Sequence, residues 1–210
     1  MADSNLIPLR FDPKLFVCLT LGFIAATVIG TVSHECGHYI ACRLMGFDAV
    51  VHYGMTTHHG PRMPRTARLV FLLGGPLQTM LTGSIGVILL YLFRKDFYRA
   101  EKLNWRQWLM VFTALFWLRQ FSNSVMLVIR YLDSGEFSSR GDEFRLAAYL
   151  EWPKWTILFS TGAIGCSVLL WVILSFIPRD YRLTFMISGI VGGVTGFILW
   201  LDIFGKVILP

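Results

Sequence analysis

Hydrophobic and polar positions along this chain fall into long blocks, not short alternations. Leu15 to Ser33, Leu69 to Phe93, Trp155 to Ile177 and Leu183 to Leu201 carry no charge. Gln107 to Ile129 is interrupted only by Arg119. Each block reaches the roughly 20 residues that a helix needs to cross about 30 Å of hydrocarbon. Barrel strands would be shorter and would alternate. Helices also satisfy every backbone N–H and C=O within their own segment. The pattern therefore predicts an all-α, polytopic membrane protein with about five transmembrane helices.

The blocks and their punctuation set the expected elements. The first helix is expected from about Lys14 to Leu44, with Gly46 as its C-cap, after a short polar tail holding Pro8 and Pro13. It reads as a span and not as a cleaved leader, because no small-residue cleavage site follows it. Residues 47–67 change character. Val50, Val51 and Tyr53 favour strand, while Gly54, Gly60, Pro61 and Pro64 favour turns, so one or two short strands are expected in this loop. The second span opens with "LLGGPLQTMLTG", which places Pro76 near a helix start. A polar connection, "RYLDSGEFSSRGDEFRLAAYLEWP", separates the third and fourth spans. Phe144, Leu146, Ala147 and Leu150 repeat there at helical spacing, and Pro153 ends the pattern. In the last span Gly189 and Gly193, and Gly192 and Gly196, form two small-xxx-small pairs, which suit internal helix packing or a homodimer face. One integral membrane domain over residues 1–210 accounts for the whole pattern.

Composition sharpens the class. Of 210 residues, 55% are hydrophobic and 15% charged, with a mean hydropathy of +0.58. A soluble domain of this length carries more charge. The net charge of +6 fits basic loops, and no clustered basic face marks a nucleic-acid partner. Lys and Arg are spread over loops on both sides, so charge bias assigns no orientation. The four cysteines lie in predicted spans, where packing is their usual role. Trp105, Trp108, Trp152, Trp155 and Trp200 sit near span ends, as interfacial aromatics do.

One segment breaks the apolar logic. "SHECGHYIACRLMG" places His34, Glu35 and His38 near the end of a lipid-fit helix, where ionisable groups are expensive and need a compensating partner. Histidines four apart lie about 40° from one another round a helix, on one face. Two imidazoles so placed can bind one Zn²⁺, and Glu35, about 100° away, is positioned for a water beside the ion. This is the H-E-x-x-H pattern of zinc hydrolases, whose glutamate is the general base. Gly37 leaves room beside the first histidine. Catalytic zinc sites use three protein ligands. His52, His58 and His59 are candidates by type. Asp133, Asp142 and Glu143 are candidates by topology, because the first and third spans run in the same direction and end at the same membrane face.

These residues resemble a family. "HECGHYIACRLMG" is similar to the first motif of the site-2 protease family of zinc intramembrane metalloproteases. "GGPLQTML" resembles that family's glycine-proline motif, and "GDEFRLAAYLEWP" resembles the segment carrying its aspartate ligand. The resemblance covers roughly residues 15–153 and leaves two additional C-terminal spans over 154–210. It implies zinc ligands His34, His38 and Asp142, with Asp133 as the alternative third ligand, and Glu35 as the base. It also implies a metal-bearing side that faces the cytosol.

The expected activity is endopeptidase cleavage of a transmembrane or membrane-associated segment within the lipid bilayer. A helical substrate must first be unwound. The stretch Ala49 to Met55, with Val51 and Tyr53, is suited to hold it extended by edge pairing. Asn123 and Gln78 are placed to position the opened backbone or to make interhelical hydrogen bonds. Arg119 is expected in a structural ion pair or near the substrate. The rival expectations are a catalytically inactive, protease-like scaffold that binds partner helices, and a transporter with a cation path. A transporter predicts polar residues distributed across the membrane, whereas here they gather at one face.

Overall fold

A computed structural model describes residues 11–136 and 141–210. The first ten residues, Pro8 among them, and residues 137–140 of the polar connection lie outside the described residues. Helix α1 runs Pro13–Leu44, and the strands β1 (Asp48–Val51) and β2 (Thr56–His59) follow. Next come α2 (Arg65–Leu92), a short α3 (Arg94–Tyr98), α4 (Trp105–Ala114), a 3₁₀ turn (Leu115–Trp117) and α5 (Leu118–Ser134). After these lie α6 (Asp142–Tyr149), α7 (Thr156–Ser175) and α8 (Arg182–Ile198), then a π-helical segment (Leu199–Phe204) and α9 (Gly205–Ile208). Five of the resulting helical stretches are long and apolar enough to cross a membrane. The fold class is thus all-α and polytopic, with one small hairpin after the first helix.

Local chemistry sets the ends of α1. The Asp12 carboxylate accepts from Lys14 N–H at 3.0 Å and Leu15 N–H at 3.1 Å, satisfying two of the donors that a helix start leaves free. Gly46, with φ of 81°, closes the other end in a left-handed conformation that a Cβ would penalise. The hairpin pairs Asp48 with His59 and Val51 with Thr56 in antiparallel register.

Helix α1 packs along α2 on one side and α8 on the other, while α5 packs on α7. Small residues permit these approaches. A Cβ on Gly37 would lie 2.7 Å from Gln78 Cβ, and one on Gly74 would lie 2.8 Å from Ala41 Cβ. The two glycines face each other where α1 crosses α2, so Gly37 serves this crossing. Gly192 and Gly196 receive Phe23 and Thr27 of α1, whereas Gly193 meets nothing within 4 Å. The second small pair of the last span therefore packs inside the chain.

The bundle is divided by polarity. Leu19, Phe23, Leu90, Val111, Val172, Phe176 and Phe185 form an apolar core at the end where α1 begins. His34, Glu35 and His38 are buried at the other end. No more than 33% of the most apolar window of any span is buried, which leaves stripes such as Leu77, Leu81, Ile85 and Ile88 exposed for lipid. In lipid those stripes bear no hydrophobic penalty, so packing and hydrogen bonding hold the helices together.

Two expectations need correction. Pro76 lies well inside α2, because that helix starts at Arg65, before the apolar block. Its ring crowds the carbonyl of Leu72 and removes one helical hydrogen bond. The third span is not one regular helix but α4 and α5 joined through the 3₁₀ turn; α2 presents Gly83 to Trp117 of that turn and Gly86 to Ala114 at the end of α4.

Candidate metal and hydrolytic site

Helix α1 delivers His34 and His38 one turn apart on its buried face, 1% and 3% exposed. Helix α6, whose first residue is Asp142, meets them from across the bundle. Asp142 Oδ2 lies 3.2 Å from His34 Nε2 and 3.1 Å from His38 Nε2. Burial alone would raise the pKa of Asp142, but its contacts with His34 and His38 outweigh burial and hold it below the usual carboxylate range. Asp142 is thus an anion facing two imidazoles.

The opposite ring nitrogens fix the tautomers. His38 Nδ1 lies 2.7 Å from Phe71 O, a carbonyl that can only accept, so Nδ1 carries the proton. Gly75 N–H also comes within 3.4 Å of that nitrogen, a longer and weaker contact. His34 Nδ1 lies 2.9 Å from Thr79 Oγ1, which donates its own proton to Gly75 O at 3.1 Å. The threonine oxygen therefore accepts from His34. Each Nε2 thus faces Asp142 Oδ2 either through a proton, as in a hydrogen-bonded ion pair, or, in the neutral ring, through a lone pair. In the second case a shared cation is what lets the nitrogen and oxygen lone pairs converge.

A zinc ion suits this arrangement. Tetrahedral bonds of about 2.0–2.1 Å place ligand atoms about 3.3 Å apart, close to the two observed separations. The Nδ1 partners are of the kind that orient metal-binding imidazoles. Space is kept at Gly75, where a Cβ would lie 2.8 Å from His34 Cδ2 and run into both Nε2 atoms. Glu35 completes the group: one ligand atom from each of His34, Glu35 and His38 falls within a mutual 4.8 Å. The Glu35 carboxylate is held from the hairpin. Thr56 Oγ1 lies 3.0 Å from Glu35 Oε2 and 2.9 Å from Glu35 O, so its single proton is shared between the two.

The other candidates are distributed as follows. Asp133 is exposed in the last turn of α5. His52 Nε2 contacts Thr57 Oγ1 at 2.9 Å and its Nδ1 contacts Pro210 O. His58 faces the ring of Phe71, and His59 is exposed. None of these three histidines joins the His34–His38 group. Gln78 donates to Thr82 Oγ1 at 3.1 Å within its own helix. Asn123 hydrogen-bonds the carboxylate of Glu143. Burial, followed by the charge of Asp142, raises the pKa of Glu143 against opposing effects that include Arg119 and Asn123.

Val51 pairs with Thr56 inside the hairpin. Tyr53 N–H donates to Leu209 O at 2.9 Å, and Tyr53 O accepts from Trp200 Nε1 at 2.7 Å. The backbone of Tyr53 is therefore occupied by the end of the fifth span and has no free group for edge pairing. Arg119 enters none of the ion pairs among the described residues. Its Nε is buried without a hydrogen-bond partner, and its charge acts on His34, Glu35 and Glu143. Among the described residues, then, Arg119 has no ion-pair partner, and its charge is felt at the site.

No local pattern marks Thr56 or Thr79 as contributors to the site, and the glycines before Pro76 read only as allowing close backbone approach. Thr79 and Gly75 stand among the "GGPLQT" residues, but single small or hydroxylated residues in an apolar helix carry no periodic signal. Comparison of the chain with protein-family models, curated proteins and solved structures finds no match.

Proposed function

We propose that the chain is a zinc-dependent intramembrane endopeptidase of the site-2 protease kind. The observation that carries this reading is the convergence of His34 Nε2 and His38 Nε2 on Asp142 Oδ2, beside a tethered Glu35 carboxylate. His34, His38 and Asp142 would hold the metal, and Asp133 takes no part. Zinc supplies a Lewis acid when bound there.

The chain's own groups do the rest. Glu35 accepts a proton from the attacking water and returns it to the leaving amide nitrogen. Thr56 fixes the direction of that carboxylate, and Thr79 and Phe71 O hold the two imidazoles in the tautomer that leaves Nε2 free. The unpaired charge of Arg119 favours negative charge developing on the substrate carbonyl. The substrate is a transmembrane or membrane-associated protein segment that reaches the site from the bilayer. The metal-bearing end of the bundle faces the cytosol.

The test is cleavage of membrane-embedded peptide substrates by purified protein and by Glu35→Gln. Loss of cleavage with metal retained is expected. Equal cleavage by both forms would refute the assignment of Glu35 as base, and no cleavage by either would favour a scaffold that binds partner helices.

A further inference from the structure

Four arginines surround one cavity at the membrane end that holds the site. The cavity, about 620 Å³, is lined by Arg62, Arg65, Arg68 and Arg145, with Met63 and Leu72 among its apolar walls. Arg65 lies over the ring of Tyr149 at 4.9 Å and approaches Tyr149 O at 3.4 Å. Its one carboxylate neighbour among the described residues, Glu151, is 3.9 Å away at an exposed position. Arg62, Arg68 and Arg145 make no ion pair among the described residues. Like charges gathered round a cavity repel one another unless an anion joins them. The start of α2 adds its own weak positive field, for its N-cap is Pro64 with no side-chain cap.

Location selects the anion. Arg65 and Arg68 stand in the first turn of a membrane span, at the level where phospholipid headgroups lie. Trp152 and Trp155, half exposed before α7, are interfacial residues of the same level. The cavity also has apolar walls, Met63, Leu72 and Ala148, which suit the glycerol and first methylenes of a lipid. A soluble acidic peptide would use the charge alone. We propose that Arg62, Arg65, Arg68 and Arg145 bind the phosphate headgroup of an anionic phospholipid between α2 and α6. Guanidinium groups suit phosphate because their forked donors match its oxygens in pairs.

The same occupant would tie α6 to α2. Asp142 opens α6, and Arg145 and Tyr149 lie on it, so lipid would steady Asp142 against the histidines. Only this consequence rests on the proposed peptidase function.

Binding is read without metal or substrate, so it succeeds or fails independently of that function. Full-length protein in neutral detergent is titrated with short-chain phosphatidylglycerol, short-chain phosphatidylcholine, inorganic phosphate and a soluble acidic peptide. Tryptophan fluorescence and native mass spectrometry report the complexes. Saturable binding of phosphatidylglycerol and none of phosphatidylcholine is expected. Arg68→Gln and Arg145→Gln should each weaken it about fivefold, while Arg179→Gln, at the opposite end of the bundle, should not. Arg68→Lys keeps the charge, and an affinity between those of wild type and Arg68→Gln is expected of it. Equal binding of the two lipids, or affinity unchanged in both glutamine variants, would overturn the proposal. So would inorganic phosphate or the acidic peptide binding as tightly as the lipid.

Discussion

Replacing Gly75 with alanine adds one methyl group at the point where the account places an ion. The new Cβ would stand 2.8 Å from His34 Cδ2, whereas carbon atoms settle at about 3.5–4.0 Å. One ring or one helix must therefore yield by at least about 0.7 Å. Metal–ligand distances tolerate about 0.2 Å, so the displaced imidazole no longer reaches a shared ion. Misplacing an orienting partner alone costs about 10–100-fold in metal affinity, and moving a ligand should cost at least that. Alanine in place of a helical glycine meanwhile favours the helix by about 1 kcal/mol, so the fold itself should survive. The assay is zinc stoichiometry by elemental analysis, with competition by a coloured chelator, beside size-exclusion profiles and circular dichroism. Gly193→Ala is the matched control, since its Cβ would meet nothing within 4 Å. A folded Gly75→Ala protein that binds zinc as tightly as wild type would refute the reasoning.

Two further substitutions probe the groups that aim the site. Thr79→Val removes the acceptor of His34 Nδ1–H while keeping shape, and zinc affinity should fall about 10–100-fold in chelator competition. Thr56→Val releases the Glu35 carboxylate. Loss of one charge-assisted hydrogen bond should lower kcat about tenfold or more in a peptide cleavage assay, with zinc stoichiometry unchanged.

Much of this arrangement is legible in the sequence, for reasons that can be named. Uncharged blocks of about 20 residues have few solutions other than membrane spans, and the structure has helices at each of them. The spacing of His34 and His38 fixes their common face because helix geometry is local. The periodic apolar residues of α6 likewise report local amphipathicity, and Phe144, Leu146 and Ala147 are buried as that pattern requires. Boundaries were less legible. Arg65 and Arg68 hide the start of α2 from any reading based on apolar runs, so apolar pattern alone places Pro76 at a helix start. Asp202 ends the last uncharged block, although helical structure continues to Ile208.

The contacts that orient the site are long-range and leave no mark on local pattern. His34 meets Thr79 across 45 residues and Asp142 across 108. Periodicity offers no way to choose between Asp133 and Asp142. The structure places Asp142 Oδ2 beside both histidines, on a helix that packs against α2, while Asp133 sits exposed at the end of α5. The binding of Tyr53 by Leu209 and Trp200 is equally non-local, and it occupies the backbone groups of that one residue.

Elemental analysis of the purified wild-type protein beside Asp142→Asn and Asp133→Asn tests the central claim most directly. One zinc per chain is expected in the wild type and in Asp133→Asn, and loss of zinc in Asp142→Asn. A wild-type chain that takes up no zinc when supplied with it, or an Asp142→Asn chain that keeps its zinc while Asp133→Asn loses it, would contradict the account.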